Sequence, residues 1–299
     1  MDIPAAGGLL LVDKPAGPTS HDIVAVARRA LGTPRVGHTG TLDPFATGLL
    51  VLCVGPGTRL VEFLVGLPKD YLARVRLGVR TTTDDPEGEV EATSEAWQEL
   101  TREEILAGLE LLRGRTIQTP PRFSAKKIAG EAAHYRARRG ETVVLEPVEI
   151  DVLALDLLDW SPPELELRVR CSSGTYIRAL ARDLGERLGT GGHLSALRRT
   201  AVGEFGLVGA ITVAELENAD AVARGWITPA AALGHLPHIQ IGSEDAARLA
   251  HGQMIPLAAA SSAEMGDGPV VVLCASELVA VVERDGERLR PRKVFQAAS

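Results

Sequence analysis

Strand-like and helix-like segments are mixed along this chain without a regular strand–helix–strand beat. That pattern points to an α+β architecture with a mixed, largely antiparallel central sheet flanked by helices. Gly8 to Asp13 reads as a short buried strand. PAGPTSHDIVAVARRALG reads as a turn and then a helix, with Thr19 or Ser20 as N-cap and Gly32 as its stop. YLARVRLGV alternates as a half-buried strand should. Thr101 to Leu112 makes an amphipathic helix whose first turn carries a capping box, Thr101 with Glu104. LELRVRCSSGTYIRALARDLGERLG is then an alternating strand, a tight turn and a helix.

A boundary is expected near ALGHLPHIQI, dividing a large domain, residues 1–233, from a small module, residues 236–296. The module carries a strand, a helix from Ser243 to His251, and three short β runs separated by polar turns such as RDGER. These features predict a partly closed barrel.

Composition narrows the class of protein. Hydrophobic residues at 45% with 24% charged residues suit a globular chain with a sizeable core. No apolar run reaches the roughly 18 residues of a membrane span. The first residues lack the basic start of a secretion signal. Cys53, Cys171 and Cys274 are far apart and form no CxxC pair, which predicts free thiols in a reducing cytoplasm. The seven histidines lack metal-ligand spacing; the nearest pair, His235 and His238, flanks Pro237 in the expected linker.

A net charge of −7 counts against a nucleic-acid partner, but the charges are segregated. Leu111 to Leu145 holds eight basic residues against Glu131 and Glu141, and Arg168 to Thr200 holds seven arginines against Asp183 and Glu186. Asp84 to Glu104 holds nine acidic residues and one arginine. One basic face with acidic surface elsewhere fits this pattern, as do solvated charges scattered over unrelated faces.

The Gly/Thr/Pro-rich stretch RVGHTGTLDPFATG leads into the apolar run LLVLCVG. Asp43 precedes Pro44 and is therefore pushed away from helical geometry. Gly37, Gly40 and Gly48 would permit sharp turns and close backbone approach. From the residues alone this is a carboxylate on a rigid loop, or an aspartate closing an Asx turn.

GHTGTLDPFATGLL, from Gly37 to Leu50, resembles without a gap the signature loop of the TruB family of tRNA pseudouridine synthases. GLLLVDKPAGPTSHDIVAVARR is similar to the family's opening motif, with Lys14 and Pro15 in place. KDYLARVRLGVRTTTDDPEG is similar to the second motif, whose tyrosine falls on Tyr71. CSSGTYIRALARDLGERLG followed by HLSALRRTAVGEF is similar to the third, placing Tyr176, Arg178 and Leu197. QTPPRFSAKKIAGE resembles the family's RNA-gripping insertion, about residues 119–140, and the C-terminal module resembles a PUA domain. The chain departs from the family pattern in GEAAHYRARRG, where His134 precedes the tyrosine. It also departs at Ser173 and Arg59, where lysine is common.

The resemblance implies a pseudouridine synthase fold and the conversion of uridine 55 in the T loop of tRNA to pseudouridine. It implies Asp43 as nucleophile, Arg178 as the partner that keeps it ionised and aimed, and Tyr71 stacked on the base and serving in the final C5 proton removal. His38 would fill the space beside the extruded nucleotide. Leu197, read as a leucine at helical spacing, would pack on the base. Lys14 would order the loop or touch a phosphate, and Arg122, Lys126, Lys127, Arg138 and Arg139 would grip phosphates. Breaking and remaking one glycosidic bond involves no redox change or group donor, so no cofactor is expected, in keeping with the lack of a P-loop or GxGxxG motif. The implied partner is tRNA, its acceptor end reaching the PUA module, bound by a monomer that touches no membrane. Two other readings use the same surface: a protein that binds and folds tRNA, and a related synthase acting on ribosomal RNA.

Overall fold

The computed structural model describes residues 3–123, 127–128, 131–132, 139, 141, 145–257 and 268–295. Most of the expected insertion, with Lys126, His134 and Arg138, lies outside the described residues, and only the backbone of Lys127 lies within them. Eight strands build the main sheet: β1 (Gly8–Lys14), β2 (Val36–His38), β3 (Thr47–Val54), β4 (Lys69–Leu77), β5 (Gly114–Gln118), β6 (Val148–Ser161), β7 (Glu164–Cys171) and β8 (Gly192–Val202). Across the sheet they run β1-β3-β8-β4-β7-β6-β5, with β2 beside β3 and three two-residue strands at the margins. The pairings are antiparallel except where β3 meets β8 and where β1 meets Ile211–Thr212.

Local chemistry sets the helices. Thr19 caps α1 (Ser20–Ala30) in a full capping box with Asp22, and Gly32 follows the helix at a φ of 64° that a side chain would resist. Thr101 and Glu104 cap α2 (Arg102–Glu110) in the same way. α3 (Ile177–Arg187) begins at Tyr176, whose backbone N–H and C=O both pair with the Gln118 side chain, at 2.9 and 3.1 Å.

β4 alternates strictly. Tyr71, Ala73, Val75 and Leu77 face inward, packed with β6, β7, α2 and α3 in one core, while Leu72, Arg74 and Arg76 face solvent. α1 covers a second core over β1 and β3.

The strand contact that matters for the site is the narrow parallel seam between β3 and β8, where Thr47 pairs with Arg198 and Gly48 with Arg199. Gly48 has φ +101°, and a Cβ there would stand 2.2 Å from the Arg199 carbonyl oxygen. Only glycine lets the two strands close at this point. Gly37 and Gly40 take no such conformation and face no such crowding, so of the three expected glycines the backbone requires only Gly48.

The C-terminal residues form a separate five-stranded sheet, curled as half a barrel: β9 (His238–Gln240), β10 (Ile255–Pro256), β11 (Val270–Cys274), β12 (Glu277–Asp285) and β13 (Arg288–Val294), in the order β9-β11-β12-β13-β10. α4 (Ser243–Ala250) packs on it. Val271, Leu278, Val281 and Phe295 share a core with Leu9, Leu60 and Leu64 of the main sheet side. Among the described residues no helix is long and apolar enough to cross a membrane.

Candidate functional site

The loop between β2 and β3 enters β3 at the seam and hangs over it, tied down by side chains from three elements. Leu42 donates its backbone N–H to Ser20 Oγ at 2.8 Å, and Ser20 returns a bond to the Leu42 carbonyl. Lys14 Nζ donates to the carbonyls of Pro15, Pro44 and Ala46 at 2.9, 3.1 and 2.7 Å. Arg199, from β8, donates Nη2 to the Gly40 carbonyl and Nη1 to the Thr41 carbonyl at 3.0 and 3.3 Å, and Nε to the Leu49 carbonyl at 2.7 Å. Lys14 is 0% exposed and its ammonium is taken up by the carbonyls of Pro15, Pro44 and Ala46, which favours the loop-ordering role over the phosphate contact. Burial lowers its pKa to about 8, with Asp43 pulling the other way.

Asp43 sits at the wall of a cavity of about 230 Å³, with Tyr71, Tyr176, Arg178, Leu197 and Arg199 among its other walls. The carboxylate closes no Asx turn; among the described residues its hydrogen-bond partner is Arg178. Arg178 Nη2 donates to Asp43 Oδ1 at 3.3 Å, and Nε lies 3.0 Å from Oδ2, off the line of a hydrogen bond. The same guanidinium, 5% exposed, donates Nη1 to Asp85 Oδ2 and to the Thr83 carbonyl, both at 3.0 Å, and Nη2 to the Phe123 carbonyl at 2.8 Å. One turn along α3, Arg182 reaches Asp84 at 3.0 Å and the Thr119 carbonyl at 2.9 Å. α3 thus pins both the Asp84–Asp85 turn and the root of the insertion.

Two carboxylates therefore share one buried guanidinium. Burial pushes the Asp43 carboxyl above the usual carboxylate range; Arg178 pulls it down and Asp85 pushes it up. Arg178 acts in the direction the resemblance implies, toward the ionised carboxylate. The guanidinium opposes a larger cost of desolvation.

Tyr71 is buried on β4, and burial raises its phenol pKa while the neighbouring Arg199 lowers it. Leu197 lies on strand β8, not at helical spacing; it is two residues from Arg199 and so shares its face of the strand, both lining the cavity. His38 ends β2 outside that lining. Its Nδ1 accepts the Gly40 N–H at 3.2 Å, its ring meets His21 edge-on at 6.2 Å, and burial with His21 lowers its pKa. Arg122 is exposed, next in sequence to Phe123, whose carbonyl accepts from Arg178.

Sequence reasoning missed three polar residues of the site. Asp85, 4% exposed, was counted within an acidic surface segment, yet it lies inside against Arg178. Arg199, 1% exposed, was counted within a basic run, yet among the described residues it meets only carbonyls and the Tyr71 side chain. Lys69, at the cavity floor, donates to the Val65 and Leu67 carbonyls at 2.9 and 2.7 Å, and burial lowers its pKa to about 8. The strict alternation of β4 placed Lys69 on the inward face with Tyr71 and was the one available signal. Thr39 adds a buried hydroxyl at the cavity wall with no hydrogen-bond partner among the described residues.

Comparison with known proteins fits this geometry. Residues 28–177 match the family model described as "TruB family pseudouridylate synthase (N terminal domain)", and residues 178–231 match "tRNA pseudouridylate synthase B C-terminal domain". The chain is 44% identical to tRNA pseudouridine synthase B of Leifsonia xyli subsp. xyli over 97% of each chain. It is 50% identical to the protein of that name from Corynebacterium efficiens, over 71% of this chain and 72% of the other. Its fold superposes with TM-score 0.77, at 24% identity, on a chain of an H/ACA RNP bound to a substrate RNA, covering 98% of this chain and 86% of that one. By matched length, identity and fold together, the chain belongs to the TruB family of pseudouridylate synthases.

Proposed function

We propose that this chain isomerises uridine 55 in the T loop of tRNA to pseudouridine, with Asp43 as the attacking carboxylate. The observation that carries the reading is the Asp43–Arg178–Asp85 cluster opening onto a cavity walled by Tyr71 and Leu197. A base inside a folded loop cannot reach such a cavity unless it is extruded, at roughly a few kcal/mol. The cavity then supplies an apolar wall from Leu197, an aromatic ring from Tyr71, and the Thr39 hydroxyl as an open polar contact.

Asp43 attacks as the ionised carboxylate, splitting one difficult rearrangement into two easier steps. Arg178 orients it and offsets part of the cost of desolvating its charge. Tyr71 stacks on the base and takes the C5 proton that ends the reaction. Lys14 acts at one remove by fixing the backbone on both sides of Asp43. His38 meets the extruded strand from the loop's outer end, and Arg122, with Lys126 and Lys127, contacts phosphates. The enzyme works as a cytoplasmic monomer, and its C-terminal sheet receives the acceptor end of the tRNA in the manner of a PUA domain.

The test is mass-spectrometric mapping of pseudouridine in an unmodified tRNA transcript incubated with the protein or with Asp43→Asn. Product at position 55 with the parent chain alone supports the reading. Tight tRNA binding with no product from either protein would favour an RNA-binding role. Turnover by Asp43→Asn would remove Asp43 as nucleophile.

A further inference from the structure

Arg199 is a buried cation without an anion. Three of its five N–H groups go to the carbonyls of Gly40, Thr41 and Leu49, and no carboxylate lies within ion-pair distance among the described residues. Burial lowers its pKa, and only Tyr71 pulls it back up. A guanidinium kept charged in such a place is costly unless something nearby gains from it. Lys14 holds the Pro44 and Ala46 end of the loop and Arg199 the Gly40, Thr41 and Leu49 carbonyls, a task for N–H donors that does not by itself call for a charge.

The group that gains is the phenol of Tyr71, on the adjacent strand, with Leu72 opposite Arg198 and Tyr71 opposite Arg199 in register. Around that phenol stand Arg199 from β8, Cys171 from β7 and Asp43 from the loop. Arg199 favours the phenolate, and the other two oppose it. We propose that Arg199 is a positioning residue for Tyr71, its charge making the tyrosine oxygen able to accept the C5 proton of the rearranged base. This inference rests on the reading of Tyr71 given above.

The step balances without any further reactant. Once the new bond to C5 has formed, C5 is tetrahedral and still carries its hydrogen. The C5–H electron pair becomes the C5=C6 π bond, and the pair it displaces returns to N1 or to the Asp43 carboxylate. The proton passes to the Tyr71 phenolate, whose own proton has gone to water beforehand; where the pair returns to N1, that nitrogen takes a proton from water in turn. Without the cation of Arg199 that prior loss is harder, so the last step slows and becomes visible in the overall rate.

The experiment compares the parent chain with Arg199→Lys, Arg199→Met and Tyr71→Phe on tRNA carrying deuterium or hydrogen at C5 of the target uridine, under single turnover. The expected result for Arg199→Met is a rate loss of about 30-fold or more, unchanged tRNA affinity and a C5 isotope effect larger than in the parent chain. Arg199→Lys, which keeps the charge, recovers most of the rate. A slow Arg199→Met without a raised isotope effect would reduce Arg199 to a loop anchor and overturn the proposal. If Arg199→Met does not fold, Arg199→Gln takes its place. A slow glutamine variant with a raised isotope effect supports the proposal, because an amide still donates to the loop carbonyls but brings no charge to the phenol. A slow one without it overturns it. Full activity and an unchanged isotope effect in Tyr71→Phe would instead remove the underlying reading of Tyr71, a failure distinct from that of Arg199.

Discussion

Two arginines, both nearly excluded from solvent, line the same cavity from different elements, α3 and β8, and are compensated in opposite ways. Arg178 is shared by two carboxylates, Asp43 and Asp85, so its cluster carries a net negative charge. Arg199 meets only carbonyl oxygens and a phenol, so its side of the cavity carries a net positive charge. Neither imbalance would be chosen for stability, because isolated buried charge is costly. Both make sense if the cavity has to hold an ionised nucleophile at one wall and ease the release of a proton at the other.

The largest expected effect comes from removing the surplus charge on the negative side. Asp43→Asn should lower pseudouridine formation by a factor on the order of 10³ or more, while the melting temperature rises or holds. The sign follows from burial. The folded-state pKa of Asp43 is raised, so its stabilising contribution is full below the unfolded-state pKa and lost as pH rises through the carboxylate range. At neutral pH the ionised side chain therefore costs stability, and asparagine removes that cost. A marked fall in melting temperature would mean that the ion pair with Arg178 outweighs desolvation.

The next effect sets the two arginines against each other directly. Arg178→Met leaves two facing carboxylates without their cation, and by analogy with broken buried pairs should cost about 3–5 kcal/mol. Arg199→Met leaves three carbonyls unpaired but also removes an uncompensated charge, and should cost less, about 1–3 kcal/mol. Urea denaturation of the two variants checks the order. Equal costs would mean that the difference in charge compensation has no energetic weight.

How much of this contrast could be read from the chain follows from the reach of each interaction. The Thr101–Glu104 box was legible because both partners lie within one helical turn, while at the first helix the sequence points to Thr19 or Ser20 as cap but not to the Asp22 half of its box. Asp43 was legible because its whole loop is one unbroken motif. Asp85 was not, because its partner Arg178 lies 93 residues away, and an acidic stretch looks the same whether it faces water or a buried guanidinium. Arg199 was hidden for the same reason, its carbonyl partners lying 150 to 159 residues distant. The sequence left Lys14 open between loop and phosphate because its acceptors, Pro44 and Ala46, sit 30 and 32 residues on. The β4 alternation told the inward face from the outward one, but not which β8 residue would meet it.

A smaller effect sharpens the negative side. Asp85 helps to raise the pKa of Asp43, so Asp85→Asn should let Asp43 ionise at lower pH. The acid limb of the rate profile should then move to lower pH, measured as single-turnover rate against pH with saturating tRNA. The maximal rate should fall at the same time, since Arg178 loses one of the two carboxylates that hold it in place. An acid limb that stays put or moves upward would mean that Asp85 acts on Asp43 only by orienting Arg178.

The smallest effect takes an ion cluster out of the interior. At the contact between the two sheets Glu62 meets two cations, Arg292 at 2.7 Å and Lys293 at 2.8 Å, and Arg292 also meets a second carboxylate, Glu283, at 2.7 Å. Unlike Arg178 and Asp85, these side chains are 31% to 41% exposed. Lys293 and Arg292 hold the Glu62 carboxyl below its usual pKa. Its contribution is therefore present above the unfolded-state pKa and lost as pH falls through the folded one. Water screens these charges, so Glu62→Gln should cost at most about 1 kcal/mol at neutral pH, and less as salt is raised. Urea denaturation at low and high salt measures it. A cost near that of Arg178→Met would show that charge number governs these clusters. A small, salt-sensitive cost would show that burial does, and that the imbalance around Arg178 matters because water is kept from Arg178 and Asp85.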